Sequence, residues 1–199
     1  NGRKLSLENH IFRMDNTEIN SLAKNRFING SMQSEIFFRG NRTARMNLCR
    51  NPNLSPNVRD KLWKERGYVY KTELLKKGKY KGDVEKYRQL YYENENKFFN
   101  TFSGQWRMRS TFLSSYWGDE SAFQATPADV LDSIATRLLT KPPVDSYSIK
   151  NMMQALIEHP NLAVDTCVKL TTAKEESVKN LAFERLVTLN KEGKIAKAN

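Results

Sequence analysis

Apolar residues recur at i, i+4 in several short windows of the chain, one face of a helix. Val58 and Leu62, Val130 and Ile134, and Thr166 and Leu170 form three such stripes. Each follows a similar preamble. Asn47 to Leu62 and Ala155 to Leu170 align without gaps, sharing a Leu (Leu48, Leu156), a Pro-Asn-Leu turn ending at Leu54 and Leu162, and a closing Lys-Leu. Leu162 lies 108 residues after Leu54. A third copy, Thr126 to Ala135, puts Ile134 72 residues after Leu62 and 36 before Leu170. A fainter copy at Thr17 to Ala23 puts Leu22 40 residues before Leu62. The implied unit is about 36–40 residues, the length of one helical hairpin repeat.

The chemistry of the unit follows from its residues. A helix ends near Pro52 or Pro160, because the residue before a proline is pushed out of the α region. The Asn-Leu pair turns the chain, and its Leu folds back as a staple-like contact. Ser55-Pro56 and Thr126-Pro127 each start the next helix with a capping hydroxyl and a proline at its first position. Asp129 has a capping-box-like spacing from Thr126. His159 aligns with Asn51 and is read as a turn residue. Leu48, Leu54, Val58, Leu62, Val130, Ile134, Leu156, Leu162, Leu170, Val178 and Leu181 are expected to be buried.

Between Tyr68 and Gly118 the pattern departs from the repeat, with glycines and aromatics at the expected Leu/Ala positions. Asp83 to Phe102 is predicted as one long helix, and Ser110 to Trp117 as a short aromatic one. Lys141 to Asp145 is a break before a helix near Ser148. The organisation expected is an N-terminal helical region over 1–125 carrying an aromatic-rich insertion, C-terminal helical repeats over 126–190, and a frayed tail over 191–199.

The Leu-x-x-x-Pro-Asn-Leu-x-x-x-Val/Thr-x-x-x-Leu pattern resembles variant leucine-rich or HEAT-like α-repeats of bacterial and phage proteins, over 42–62 and 126–190. Glu176 to Ala182 resembles the second helix of such a unit, with Val178, Leu181 and Ala182 inward. The resemblance implies an all-α fold, HEAT-like helix-pair repeats (an α-solenoid fragment) with an irregular aromatic-rich middle segment.

Composition narrows the function. At 199 residues, 39% hydrophobic and 28% charged, the chain can bury a core. No run approaches the ~20 apolar residues of a membrane helix, so no membrane is expected. Two cysteines, Cys49 and Cys167, lie at apolar positions and read as small buried hydrophobes in a reducing, cytoplasmic or other intracellular setting, with a virion-associated location as the alternative. Scattered single histidines, His10 and His159, make no zinc pattern. Glu93 and Glu95 point apart on a helix, and no nucleophile–base spacing occurs. Neither a catalytic centre, a metal nor a cofactor is expected.

The net charge of +11 and pI near 9.6 point to a polyanionic partner, nucleic acid or an acidic protein. From Ile36 to Arg59 there is no acidic residue, yet Arg39, Arg42, Arg45, Arg50 and Arg59 occur. Arg42 and Arg45 share a helix face, a solvated one in this reading. Guanidinium forks suit phosphates. Lys71, Lys76, Lys77, Lys79 and Lys81 form a second cluster around Gly78 and Gly82, read as a solvated loop that adds phosphate contacts. A third, Arg107 and Arg109 beside Trp106, is flanked by Phe99, Phe102, Phe112, Tyr116 and Trp117; these aromatics are expected mainly as a satellite core, with base stacking as the alternative. The function expected is a non-catalytic binding module whose basic face engages nucleic acid. A protein–protein adaptor or phage-type assembly component binding an acidic surface is one alternative, and a HEAT-like nucleic-acid enzyme another.

Overall fold

In a computed structural model of the chain, residues 11, 13–100, 102–115, 121–142 and 146–196 are described. Among them every regular element is helical: α1 (Asn16–Leu22), α2 (Gly30–Arg39), α3 (Arg42–Arg50), α4 (Pro56–Lys64), α5 (Val69–Lys76), α6 (Val84–Glu93), α7 (Glu95–Asn100), α8 (Phe102–Phe112), a 3-10 turn (Ala122–Ala125), α9 (Ala128–Thr140), α10 (Ser146–Glu158), α11 (Val164–Leu170) and α12 (Glu176–Lys191). The chain divides into two compact units, Asn1–Lys81 and Gly82–Asn199. The sequence pattern put its boundary at 125/126. Contacts cross that point within the second unit: the Tyr91 hydroxyl bonds the Ser133 hydroxyl, Arg88 pairs with Asp129, and His159 bonds Phe123 O.

In the first unit helices pack on their sequence neighbours, α2 on α3 and α4 on α5, and also on alternate helices. Helix α3 packs against α1 and α5, and α2 against α4. Helices α1 and α3 run the same way, since Asn47 Nδ2 donates to Asn20 O near their middles and Asn51 reaches Ala23 O at their ends. Helices α2 and α4 start together, where a Cβ on Gly30 would sit 3.4 Å from the Ser55 Cβ, and end together, where Lys61 lies over Phe38. In the second unit α9 packs on α11 and α10 on α12.

One turn geometry leads into α2, α4, α9 and α11. The backbone N–H three residues on donates to the carbonyl of Asn25, Asn51, Phe123 or His159, and the helix is capped by the residue after that. In three of the four, the side chain of the first residue also accepts from the N–H two residues on: Asn25 from Phe27, Asn51 from Asn53, His159 from Asn161. The apolar stripe then falls three and seven residues past each cap: Met32 and Ile36, Val58 and Leu62, Val130 and Ile134, Thr166 and Leu170, all buried. The segment that shares this geometry near the N-terminus is therefore Asn25 to Ile36 and not Thr17 to Ala23; in α1 it is Ile19 and Ala23 that are buried.

Three of the four turns are held by a side chain from a later segment. Asn51 is buried, and its Nδ2 donates to Ala23 O (2.8 Å) and Asn25 O (3.0 Å). Lys79 Nζ donates in turn to Asn51 O at 2.6 Å. In the second unit buried His159 bonds Phe123 O through Nε2 at 3.0 Å, and Asn161 Nδ2 donates to Gln124 O and Thr126 O. Because Nδ1 accepts from Asn161 N, the imidazole is neutral with its proton on Nε2. Burial, outweighing the backbone bonds that would raise it, holds its pKa below 6.5.

Several sequence expectations need correction. Thr126 does not cap a helix; its hydroxyl is buried and donates to Phe112 O, and Pro127 stands at the cap without a side-chain bond. Ser55 does cap α4, accepting from Val58 N, with Pro56 behind it. Asp129 binds Arg88 and Tyr92 rather than closing a capping box. Leu54 and Leu181 are only half-buried; the other nine expected core positions are buried. The long helix is two, because Asn94 leaves the helical path and its amide closes on Leu90 O. That break lets Tyr91 meet Phe98 at 5.9 Å. Helix α8 begins before Ser110 and carries Trp106 to Arg109; Tyr116, Trp117 and residues 143–145 lie outside the described residues, as do 197–199 of the tail, whose helix runs to Lys191.

Two outcomes test this packing. Leu62→Ala is expected to cost roughly 2–5 kcal/mol in chemical denaturation, and Leu54→Ala less than half as much; equal losses would contradict the burial difference. Between about pH 7.5 and 5.5 the unfolded chain takes up a proton at His159 that the folded chain refuses. Stability should fall as pH drops below 6.5, and His159→Asn, which copies Asn51, should flatten that slope.

Candidate nucleic-acid interface

The acid-free window is not acid-free in space. Arg39 pairs with Glu35 one turn back at 3.0 Å, Arg59 with Asp60 at 3.0 Å, Arg45 with Glu65 at 3.4 Å, and Arg50 with Glu73 at 2.7 Å. The partners come from just outside the window in sequence. Glu73 is only 4% exposed, so Arg50 compensates a buried carboxylate. Arg45 is half-buried, donates through Nε to Phe37 O and lies over the Phe37 ring at 4.7 Å. Arg59 reaches Lys79 O and stacks on Tyr80 at 4.5 Å. These three arginines hold the fold. Arg42 differs: it is exposed at the first position of α3, with no ion-pair partner among the described residues.

The lysine cluster is mostly not a solvated loop. Lys71 and Lys76 are buried on α5, and Lys71 Nζ donates to Glu65 O and Gly67 O. Lys79 is half-buried in its clamp, where burial lowers its pKa. Lys77 and Lys81 are exposed; Lys81 sits at φ 45° between the left-handed Gly78 and Gly82. In the second unit Arg109 is buried and Arg107 half-buried, its guanidinium 5.9 Å from the Trp106 ring centre. Phe98, Phe99 and Phe112 are core, with Tyr87 and Tyr91 in edge-on contact around Phe112. Of the described side chains in this aromatic group, only Trp106 faces water substantially.

What the fold does bring together lies at the shared end of α2 and α4. Gly40 makes the turn into α3 so tight that a Cβ would fall 2.5 Å from Ile36 O, with Arg39 just before this turn and Arg42 just after it. From α4, Lys61 Nζ sits 5.2 Å from the Phe38 ring centre, and exposed Lys64 is one turn on. Phe38 is 67% exposed and Phe27, beneath Arg26 at 4.9 Å, is 80% exposed. The sequence reading missed Phe38, Lys61 and Lys64. The signal was there in the repeat: the positions aligned with Phe38 are Lys64, Thr136 and Thr172, all polar.

Other candidate chemistry is sparse. Cys49 is buried and its thiol is pushed up to about 12 by burial first and by Glu73 second; Cys167 is buried and bonds Ala182 O. Among the described residues no three His, Cys, Asp or Glu side chains converge as a metal set, and no helix is long and apolar enough to cross a membrane. His10 lies outside the described residues. A cavity of about 390 Å³ in the second unit is lined by Leu138, Leu139, Ile149 and Met153 with Lys150, Lys174 and Glu175.

Fold and site thus define an all-helical protein with a cation-and-aromatic surface on its first unit. No family model, curated protein or solved structure matches the chain.

Reversing charge separates the two kinds of arginine. Arg45→Glu should lower stability by about 1–3 kcal/mol, since it strips a carbonyl bond and opposes Glu65. Arg42→Glu should stay within about 0.5 kcal/mol of the parent. Equal melting curves would place Arg45 on a solvated face after all.

Proposed function

We propose that the chain is a HEAT-like helix-pair repeat protein, an α-solenoid fragment, that works as a non-catalytic binding module for nucleic acid. The repeat reading is supported by four turns of one geometry, by alternate helices packing on each other, and by stripes at equal distances from the caps. The binding reading rests on one observation above all. Arg39, Lys61 and Lys64 lie near the shared end of α2 and α4, with Arg42 just past the Gly40 turn, in a chain of net charge +11; Arg39 is ion-paired there, whereas Arg42 has no ion-pair partner among the described residues. Phosphates need such a surface. The ion pair that Arg39 makes there spans one exposed helical turn, a contact worth little to stability.

A second reading has its own observation. Phe183 and Val187, one turn apart on α12, are both more than half exposed, which suits an adaptor that docks another protein. It uses a different surface from the cation cluster, and the two readings answer to different experiments.

Oligonucleotide affinity measured against salt tests the first. The logarithm of the binding constant should fall linearly with log salt. Arg42→Glu with Lys64→Glu should weaken binding and flatten the slope by about 0.7–0.9 for each phosphate no longer neutralised. If the parent chain binds no oligonucleotide at low salt, the nucleic-acid reading fails and the adaptor reading stands alone.

A further inference from the structure

We infer that the nucleic acid taken by this surface is single-stranded, with an unpaired base stacked on Phe38 and the flanking phosphates on Lys61, Arg39, Arg42 and Lys64; the inference rests on the binding reading above.

Phe38 is an anomaly by the molecule's own standard. It sits two residues past Ile36, the second stripe position of its copy. In the other three copies that place holds Lys64, Thr136 and Thr172. A solvent-facing position that is polar three times and phenylalanine once has no packing need for the ring, and Phe38 leaves 67% of itself in water. Phe27, 80% exposed, has the smaller residues Asn53, Ala125 and Asn161 as its counterparts.

The ring is nevertheless held. Phe37, buried beside it, meets Phe38 edge-on at 5.6 Å, and Lys61 stands over it at 5.2 Å. Arg45 in turn braces Phe37 from its own face. An exposed aromatic ring fixed next to cations is a platform for a base whose backbone passes the ammonium. A duplex keeps its bases stacked on each other and offers no free face, so it could use only the cations. Stacking of this kind tolerates any base, so sequence preference is weak. An acidic protein would use the cations as well, but nothing in a carboxylate surface draws on the exposed ring.

The test compares a labelled mixed-sequence single-stranded oligonucleotide with a duplex of equal length, titrated with the full chain. The single strand should bind tighter. Phe38→Ala should weaken it by about 5- to 100-fold without changing the salt slope, Phe38→Tyr should restore it, and duplex affinity should not move. Because the side chain is exposed, thermal melting should match the parent. If Phe38→Ala leaves single-strand affinity within twofold while Arg42→Glu with Lys64→Glu weakens both ligands, stacking is overturned and the electrostatic reading survives. A duplex bound more tightly than the single strand also overturns the inference. Absence of binding to either ligand defeats it together with the reading beneath it.

Discussion

The carbonyl that opens each inter-helix turn is the point on which both units depend. Two of the four residues, Asn51 and His159, are buried, and there an unmet oxygen costs as much as a lost hydrogen bond or more. One lone pair takes the N–H three residues on, within the turn itself. The other is met from the following layer in three cases: Asn51 bonds Asn25 O, Lys79 bonds Asn51 O, and His159 bonds Phe123 O. Burial of the turn and presence of the next layer therefore require each other. Three chemically different donors serve the same geometry, so what is required at that place is an N–H of adequate reach rather than a particular residue.

Clamp and stripe together set where the charges go. With Met32, Ile36, Val58 and Leu62 inward, the outward positions of α2 and α4 near their common end are Phe38, Arg39, Lys61 and Lys64. None of these takes part in a clamp. Other arginines have structural duties: half-buried Arg45 braces Phe37, and Arg50, itself exposed, answers the buried Glu73. Residues of one basic stretch in sequence thus end in different surroundings, some bonded to carbonyls and carboxylates of the fold and some, such as Arg42, exposed.

That sorting marks the limit of what the sequence made legible. The stripe at Val58/Leu62, Val130/Ile134 and Thr166/Leu170 could be read directly, because apolar period 3.6 is a local property and burial follows it. The Ser55-Pro56 start was likewise local. What failed was nonlocal or small. Glu65 and Glu73 lie outside the window whose arginines they neutralise, and only folding reveals the pairs. The first repeat copy escaped because it has no proline: Asn25-Arg26-Phe27-Ile28 makes the turn that Asn51-Pro52-Asn53-Leu54 makes, through the same asparagine acceptor. Asn94 was one polar residue in an aromatic helical pattern, and nothing local distinguished it from a solvated helix position.

Once Asn25 to Ile36 is aligned with the other three turns, the four can be compared position by position. Four copies of one turn state what each position needs for packing, and a residue that departs from the others without a packing cause must answer to something else. His159 departs from Asn51 and still clamps, so its departure is structural substitution. Lys64 departs toward charge and Phe38 toward an exposed ring, and neither change adds burial. Both fall at the same end of neighbouring helices, in the unit whose solvent-facing cations cluster there. The coincidence of the two departures in one place, more than the total charge, is the ground on which the binding proposal stands.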